Sequence, residues 1–274
     1  MQLQDKVALI TGGGQGLGKA IALAMAREGA NIVICDINPD TLAEAAKEIE
    51  ATGRQCLGVQ CDVSSVESVE QMFAQTVERF GTLDILVNNA AIVAARPADT
   101  ERRNRVYAAK STATAPQSLG ITTSHTDDDW LRFWGVNCHG VFWCTRAALR
   151  IMEPRRYGKI INIASIAGLG TESAFSPPYS ATKAAVMSLT KTVAFDVAGA
   201  NIYVNCIAPG GILTPPFQKY LAEASEEEKR NLLGIIPLGR LGTPEEYASL
   251  AVYLASDAHY LVGQIISPNG GAVI

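Results

Sequence analysis

Short runs of Val, Ile and Leu alternate with stretches of helical spacing, and that alternation limits what the chain can fold into. KVALIT (6–11) is apolar and ends at glycines, whereas LGKAIALAMAREG (17–29) has helical spacing and stops at Gly29. NIVICD (31–36), CLGVQCD (56–62), LDILVNNA (83–90), KIINIAS (159–165) and IYVNCIAP (202–209) read as further strands, and QIISPNGG (264–271) can close the sheet as a seventh. Helices are expected over 39–53, near 66–80, and on either side of the fifth and sixth strands. Strands this continuously apolar are buried on both faces, which means a parallel sheet covered by helices. The expected fold is therefore α/β, a doubly wound parallel sheet of about seven strands. No internal repeat or low-complexity linker interrupts it, so residues 1–274 are expected to form one domain.

Right-handed crossovers put the C-terminal end of every strand on one rim. The chemically interesting residues fall there: Gly12 to Gly18, Asp36, Asp62, Asn89, Ser165 and Pro209–Gly210. Ligands of open sheets bind at such a rim. Two segments break the rhythm. Residues 93–126 lack clean periodicity and read as a long insertion, and a structureless stretch of that length is usually functional or mobile. Residues 213–237 look like a loop with short helices bordering a substrate. Ser225 with Glu228, and Thr243 with Glu246, fit capping boxes. TDDDW (126–130) suits a helix start better than a metal site, because carboxylates favour the positive helix end.

Composition excludes several classes. Apolar residues make up 48%, enough for a sizeable core, and the net charge of −4 carries no basic stripe for nucleic acid or an anionic membrane. No apolar run has the length of a membrane span, and MQLQDKVALITGG lacks the features of a signal peptide. A cytoplasmic location is expected. The six cysteines form no Cys-x-x-Cys and sit mostly in apolar runs, as small core residues do in a reducing compartment. The three histidines have no paired metal spacing, so no metal site is expected. No Gly-x-Ser-x-Gly elbow supports a serine hydrolase.

TGGGQGLGKAIA (11–22) joins the first strand to the first helix. Glycines let the backbone turn sharply and approach a pyrophosphate, and the helix N-terminus supplies N–H donors. The spacing is Thr11-Gly12-x-x-x-Gly16-x-Gly18, with Gln15 and Leu17 between the glycines. A tight turn alone would also explain glycines; their place between strand and helix points to a nucleotide. Asp36 ends the second strand, 18 positions after Gly18, with Ile37 following. A carboxylate there can accept from both ribose hydroxyls and would repel a 2′-phosphate. No Arg or Lys lies in 12–18 or 37–40, so NAD is expected over NADP. A turn or cap role for Asp36 before Asn38-Pro39 is the alternative.

In FSPPYSATKAAVMSLTK (175–191), Tyr179 stands four positions before Lys183 in a helix opened by prolines. Positions i and i+4 share a face, so phenol and ammonium point the same way. Taken alone, this could be a half-buried tyrosine beside a surface lysine.

Together these pieces resemble the short-chain dehydrogenase/reductase family, in its single-domain branch with a Rossmann-like fold. The resemblance rests on TGGGQGLG (11–18), Asp62-Val63, NNAA (88–91), Asn137, Ser165, YSATK (179–183) and PGGILT (209–214). It implies that Asp62 and Val63 meet the adenine, and that Asn89, Ala90 and Ala91 line the ribose side of the cofactor groove. Ile212 and Thr214 meet the carboxamide, beside Pro209 and Gly210. Lys183 holds the nicotinamide ribose, Tyr179 is the acid/base, Ser165 orients the substrate oxygen, and Asn137 supports a water-linked proton path behind Lys183. A phenol titrates near pH 10, and bringing it to neutrality takes about 4 kcal/mol in favour of phenolate. The neighbouring ammonium and an oxidised nicotinamide's charge can supply that in a dry site.

The chain departs from the family pattern in places. Ala91 replaces a usual glycine, Ser165 to Tyr179 is a step of 14, Asn89 to Asn137 spans 48 positions, and NGG (269–271) replaces Asp-Gly-Gly. The long span holds the 93–126 insertion. Pocket-facing positions are expected at Ile92, Ala167, Leu169, Phe175, Leu213, Phe217 and Tyr220, mostly apolar and without an Arg or Lys to clamp a carboxylate. The expected activity is NAD-dependent interconversion of a hydrophobic, cyclic or aryl secondary alcohol and its ketone. A 3-oxoacyl or 3-hydroxyacyl thioester enzyme, its basic ERRNR (101–105) meeting phosphopantetheine or CoA, is the runner-up. A non-catalytic NAD(H) sensor is a third reading. The family's habit implies a homotetramer through helices at about 128–154 and 176–198.

Overall fold

In the computed structural model the described residues are 1–111, 117–171 and 173–274, with the side chains at 110, 111, 216, 220, 227, 228 and 231 outside that description. Seven strands form one sheet: β1 (Val7–Thr11), β2 (Asn31–Asp36), β3 (Cys56–Gln60), β4 (Ile85–Asn88), β5 (Gly158–Ile163), β6 (Ile202–Ile207) and β7 (Ile265–Ile266). Their order is β3-β2-β1-β4-β5-β6-β7, and every pairing is parallel. The order reverses direction beside β1, which leaves a crevice between the ends of β1 and β4. Several strands are shorter than their apolar runs. β4 stops at Asn88 and β7 keeps only two residues, because the chain turns away at the rim to build loops.

The central strands β1, β4 and β5 are buried at every position. Successive residues feed opposite layers. Ala8, Ile10, Ile32, Ile34, Ile85 and Val87 pack under α1 (Gly16–Arg27), α2 (Pro39–Glu50) and α10 (Pro244–Ala255). Leu9, Val33, Cys35 and Leu86 pack on the other face with α3 (Val66–Phe80), α6 (Gly140–Arg155) and α7 (Pro177–Val197). Each such side chain contributes about 1.5–3 kcal/mol on burial. All six cysteines are free thiols, four of them buried in these layers. Among the described residues no helix is long and apolar enough to cross a membrane, and no cluster of His, Cys, Asp or Glu is arranged to hold a metal ion.

The 93–126 region differs from its expectation. It holds a fifteen-residue helix, α4 (Pro97–Ser111), and a short 3-10 turn at Thr122–Ser124. Residues 99, 102 and 106 are buried at helical spacing, but the first two are charged, so no hydrophobic period marks them. Arg102 Nη1 meets Asp99 Oδ1 at 3.0 Å, with both side chains almost wholly buried. The same guanidinium donates to the Ser124 hydroxyl (3.0 Å), the Ser124 carbonyl (2.6 Å) and Asp129 Oδ2 (3.5 Å). Asp129 belongs to α5 (Asp127–Trp134), whose N-cap Thr126 accepts from the Asp129 N–H. TDDDW thus begins a helix, and its third carboxylate anchors the insertion.

Helices α8 (Pro215–Glu223) and α9 (Glu226–Leu233) occupy the substrate-loop region. The Thr243–Glu246 capping box forms at α10, with Pro244 in its first turn. Glu228, the expected partner of Ser225, has its side chain outside the described residues.

Removing one partner of a buried ion pair costs about 3–5 kcal/mol, because the other charge stays buried. Arg102→Ala is expected to lower unfolding free energy by that order in urea. An Asp99→Leu/Arg102→Met double variant should recover most of the loss. A single variant as stable as the unaltered protein would contradict the packing of the insertion.

Candidate active site

The rim carries a cleft of about 800 Å³ that runs from the end of β2 to the end of β6. Its floor begins at the glycine loop. Gly12 (φ +64°) and Gly16 (φ +55°) sit in left-handed backbone that favours glycine. A side chain at Gly18 would collide with the Gly12 carbonyl and Asn89. Asn89 fixes the loop from β4: its Nδ2 donates to the carbonyls of Thr11 (2.9 Å) and Gly12 (3.1 Å). Gln15 caps α1 without a side-chain bond, so the first N–H groups of that helix remain directed at the cleft. A backbone cradle that side chains would fill, ending in a helix N-terminus, fits a diphosphate.

Asp36 and Ile37 line the next part of the cleft. Asp36 Oδ2 accepts the Gly14 N–H at 3.2 Å and Oδ1 accepts the Asn38 N–H at 3.2 Å. The cap of α2 is Asn38, whose side chain accepts from Asp40 and Thr41, so Asp36 is not the helix cap. Asp62 and Val63 follow β3 in the same wall, with Asp62 Oδ1 holding Ser64 through its N–H (2.8 Å) and hydroxyl (2.7 Å). Ala90 and Ala91 continue beyond Asn89, and Pro209, Gly210, Ile212 and Thr214 close the far end.

Ser165, Tyr179 and Lys183 line that far end too. Ser165 leaves β5 in extended backbone and accepts the Ala167 N–H at 3.2 Å. Tyr179 lies in the first turn of α7, and Lys183 one turn on, as the four-residue step predicts. Lys183 is buried, and its Nζ donates to the Ile163 carbonyl at 2.9 Å, 5.8 Å from the centre of the Tyr179 ring. Burial lowers the Lys183 ammonium to about 8. Burial also raises the Tyr179 phenol, and the Ser165 hydroxyl beside it pulls only partly the other way. For each group desolvation is the largest cause of its shift.

Asn137 is fully buried in a five-residue π-type turn (Gly135–His139) between α5 and α6. Such turns often occur at functional sites. Its amide pairs with the backbone of Ile92, accepting from N–H at 2.9 Å and donating to C=O at 3.0 Å, with Thr182 Oγ1 at 3.4 Å. Asn137 therefore stands behind the cleft wall rather than in it.

Of the expected substrate-facing positions, Ile92 lines the cleft; Ala167, Leu169, Phe175, Leu213 and Phe217 do not. The 166–168 turn packs so closely on α7 that a side chain at Gly168 would meet Lys183 and Ala184, which buries Ala167 in the contact. Leu169 is exposed, and Phe175 lies under Arg103 of α4 at 6.0 Å. The side chain of Tyr220 lies outside the described residues. Val93, Val136 and Arg132 instead complete the wall. The sequence signal for Arg132 was its helical step of four from Val136 and five from Asn137, which only the α5 geometry makes readable.

Residues 6–225 match the family model described as short chain dehydrogenase. The (2S)-[(R)-hydroxy(phenyl)methyl]succinyl-CoA dehydrogenase subunit BbsD of Thauera aromatica is 36% identical over 272 residues, 99% of this chain and 98% of that protein. The 3-oxoacyl-[acyl-carrier-protein] reductase FabG of Thermotoga maritima is 35% identical over 275 residues, the whole of both chains. Among solved structures, levodione reductase superposes with a TM-score of 0.83 at 30% identity, covering 98% of each chain. A short-chain type dehydrogenase/reductase from Mycobacterium marinum gives 0.81 at 33%, covering 99% of this chain and 97% of that one.

The lowered Lys183 ammonium has a stability consequence. Between about 8 and the ordinary 10.5 the unfolded chain holds the extra proton, so folding becomes more favourable as pH rises through that window. Below about 8 the full cost of the buried charge is present. The stability difference between Lys183→Met and the unaltered protein is expected to shift toward the unaltered protein from pH 8 to 10, measured by urea unfolding at each pH. A difference independent of pH would contradict the burial of that ammonium. Asn137→Ala should cost about 1–3 kcal/mol in the same assay, because the Ile92 backbone loses its partners.

Proposed function

The chain belongs to the short chain dehydrogenase family, and from that premise we propose that it transfers a hydride between NAD and a secondary alcohol or its ketone, favouring hydrophobic, cyclic or aryl substrates. The observation that carries the reading is one cleft lined by the glycine cradle, Asp36, Ser165, Tyr179 and Lys183. Family membership itself gives an oxidoreductase with a nicotinamide cofactor, NAD or NADP, and a small-molecule substrate. The bound nicotinamide supplies the hydride acceptor or donor.

Tyr179 is assigned the proton transfer. In oxidation its phenolate takes the hydroxyl proton of the substrate, and in reduction the phenol returns it. Ser165 donates to the reacting oxygen and holds it against the phenol. Lys183, fixed by the Ile163 carbonyl, is assigned the nicotinamide ribose and a positive charge beside the phenolate. Asn137 acts through Ile92 and Thr182 as a positioning residue that holds the wall opposite α7. Asp62 and Val63 are assigned the adenine, Asn89, Ala90 and Ala91 the ribose side, and Ile212 and Thr214 the carboxamide, next to Pro209 and Gly210. Ile92, Val93 and Val136 give the cleft apolar surface, which favours a hydrophobic substrate.

NAD over NADP rests on charge at the end of β2. Asp36 is held there by two backbone N–H groups. Lys19, on the helix that follows the glycine loop, is paired with Glu48 at 2.9 Å. An added 2′-phosphate would face a carboxylate without a counter-charge.

The names of two relatives favour a second reading, a 3-oxoacyl or 3-hydroxyacyl thioester as substrate. Of the three arginines expected to meet its phosphates, Arg102 is in the buried pair with Asp99, Arg103 lies over the Phe175 ring at 6.0 Å and Arg105 donates to the Leu119 carbonyl at 3.1 Å. We place the protein in the cytoplasm as one domain, and as a homotetramer through α6 and α7, where Phe142 and Phe195 are exposed.

Tyr179→Phe is expected to keep NADH affinity within about threefold while turnover of a panel of secondary alcohols falls by about 10²–10⁴, the usual contribution of an acid/base group. Unchanged rates would remove Tyr179 from the mechanism, and tight NADH binding by the unaltered protein with no turnover of any alcohol would favour the sensor reading. Asp36→Ala should raise kcat/KM with NADP relative to NAD by about tenfold, an unaltered protein that already prefers NADP being the contrary result.

A further inference from the structure

Phe133 does not line the cleft, yet it is the residue of α5 that meets the assigned acid/base. Its ring stands 6.2 Å from that of Tyr179, with the two planes inclined at 68°, an edge-to-face contact. Among the described residues it is the bulkiest of the fully buried side chains. Tyr179 does line the cleft, so the contact between the two rings lies behind the cleft wall.

Two anchors keep Phe133 there. Asp129, Phe133 and Asn137 follow one another at steps of four, the spacing of one helix face, and all three are buried. The insertion takes Asp129, through Arg96 at 3.2 Å and Arg102 at 3.5 Å. The Ile92 backbone takes Asn137, at 2.9 and 3.0 Å. With a bonded residue on each side of Phe133, α5 cannot roll without breaking a buried contact. The insertion thus braces the helix whose ring meets Tyr179.

A ring packed at this place acts on the phenol in two ways. It keeps water from the side of Tyr179 that faces α5, and water favours the charged phenolate over the neutral form. It also fills the space into which the Tyr179 ring would otherwise tilt. The charged groups beside the two rings are Lys183 on α7, 5.8 Å from the Tyr179 ring centre, and Arg132 on α5, 4.9 Å from the Phe133 ring centre. Asp129 stands one turn back on α5, and Ser165 brings a hydroxyl from the rim of β5. Exchanging Phe133 for another apolar residue changes none of these charges.

We propose that Phe133 is a positioning residue for Tyr179, holding the phenol ring in place and keeping water from its rear side. This rests on Tyr179 as the acid/base and adds what governs its place and its acidity.

The test is an ultraviolet difference titration of the cofactor-free full chain, which needs no substrate. The unaltered protein is compared with Tyr179→Phe, and Phe133→Leu with Phe133→Leu/Tyr179→Phe, so that each difference is the Tyr179 phenol. That phenol is expected to ionise at lower pH in the Leu background, because water replaces the aromatic ring. Phe133→Met, whose flexible side chain refills part of the space, should fall between the two and serves if the Leu variant does not fold. With 1-phenylethanol and NAD⁺, the high-pH plateau of kcat is expected to drop about tenfold in Phe133→Leu, while KM changes by less than about twofold. The rising limb of that profile should move to lower pH with the phenol. A phenol that ionises at the same or a higher pH in the Leu background would overturn the proposal. A loss confined to unfolding free energy or to KM would overturn it as well. If the unaltered protein oxidises neither 1-phenylethanol nor cyclohexanol with either cofactor, the catalytic reading falls, and the titration still decides the contact.

Discussion

Parallel pairing obliges all seven strands to end at one rim, and the site depends on that constraint before it depends on any side chain. Because β1, β4, β5 and β6 lie side by side, the residues that leave them converge without a second domain. Asn89 leaves β4 and ties down the glycine loop after β1. Lys183 comes back from α7 to bond the last carbonyl of β5. Below them a buried polar ladder keeps the strands in register: Asn88 donates to Asn162 at 2.8 Å and to Thr145 at 3.0 Å, and Asn162 donates to Thr190 at 2.9 Å. These bonds link β4 and β5 to α6 and to α7, the helix that carries Tyr179 and Lys183. A shift of one residue in a central strand would swap its side chains between the two packed layers and move a rim residue out of place.

Burial then sets the chemistry. The same packing that positions Tyr179 and Lys183 makes both charged forms costly, which raises the phenol and lowers the ammonium. In the function proposed above, positive charge brought beside the phenol by a bound cofactor would offset that cost.

Much of this was legible in the chain. Apolar runs marked all seven strands, with the glycine loop, Asp36 and Ser165 at strand ends, whereas Tyr179 and Lys183 were read on one helix face and tied to the site only through the family resemblance. What was not legible had physical reasons. Helix α4 buries Asp99 and Arg102 where a helix ordinarily buries leucines, so no apolar period announced it. Ala167 and Phe175 look like pocket residues by position, but close packing on α7 and the reach of Arg103 use them otherwise. Arg132 belongs to an acidic helix start and gave no sign that it would line a cleft built mostly by residues more than thirty positions away. The pairing of Asn137 with the Ile92 backbone is likewise a property of the π-type turn, not of the sequence around it.

The central claim is that the Tyr179 phenol becomes acidic through charge brought by the oxidised cofactor in a dry site. An ultraviolet difference titration near 295 nm measures it directly, comparing the unaltered protein with Tyr179→Phe in the presence and absence of NAD⁺. The account predicts one phenol that ionises at lower pH when NAD⁺ is added, a signal absent from the variant. A phenol that ionises at the same high pH with and without NAD⁺ would contradict it.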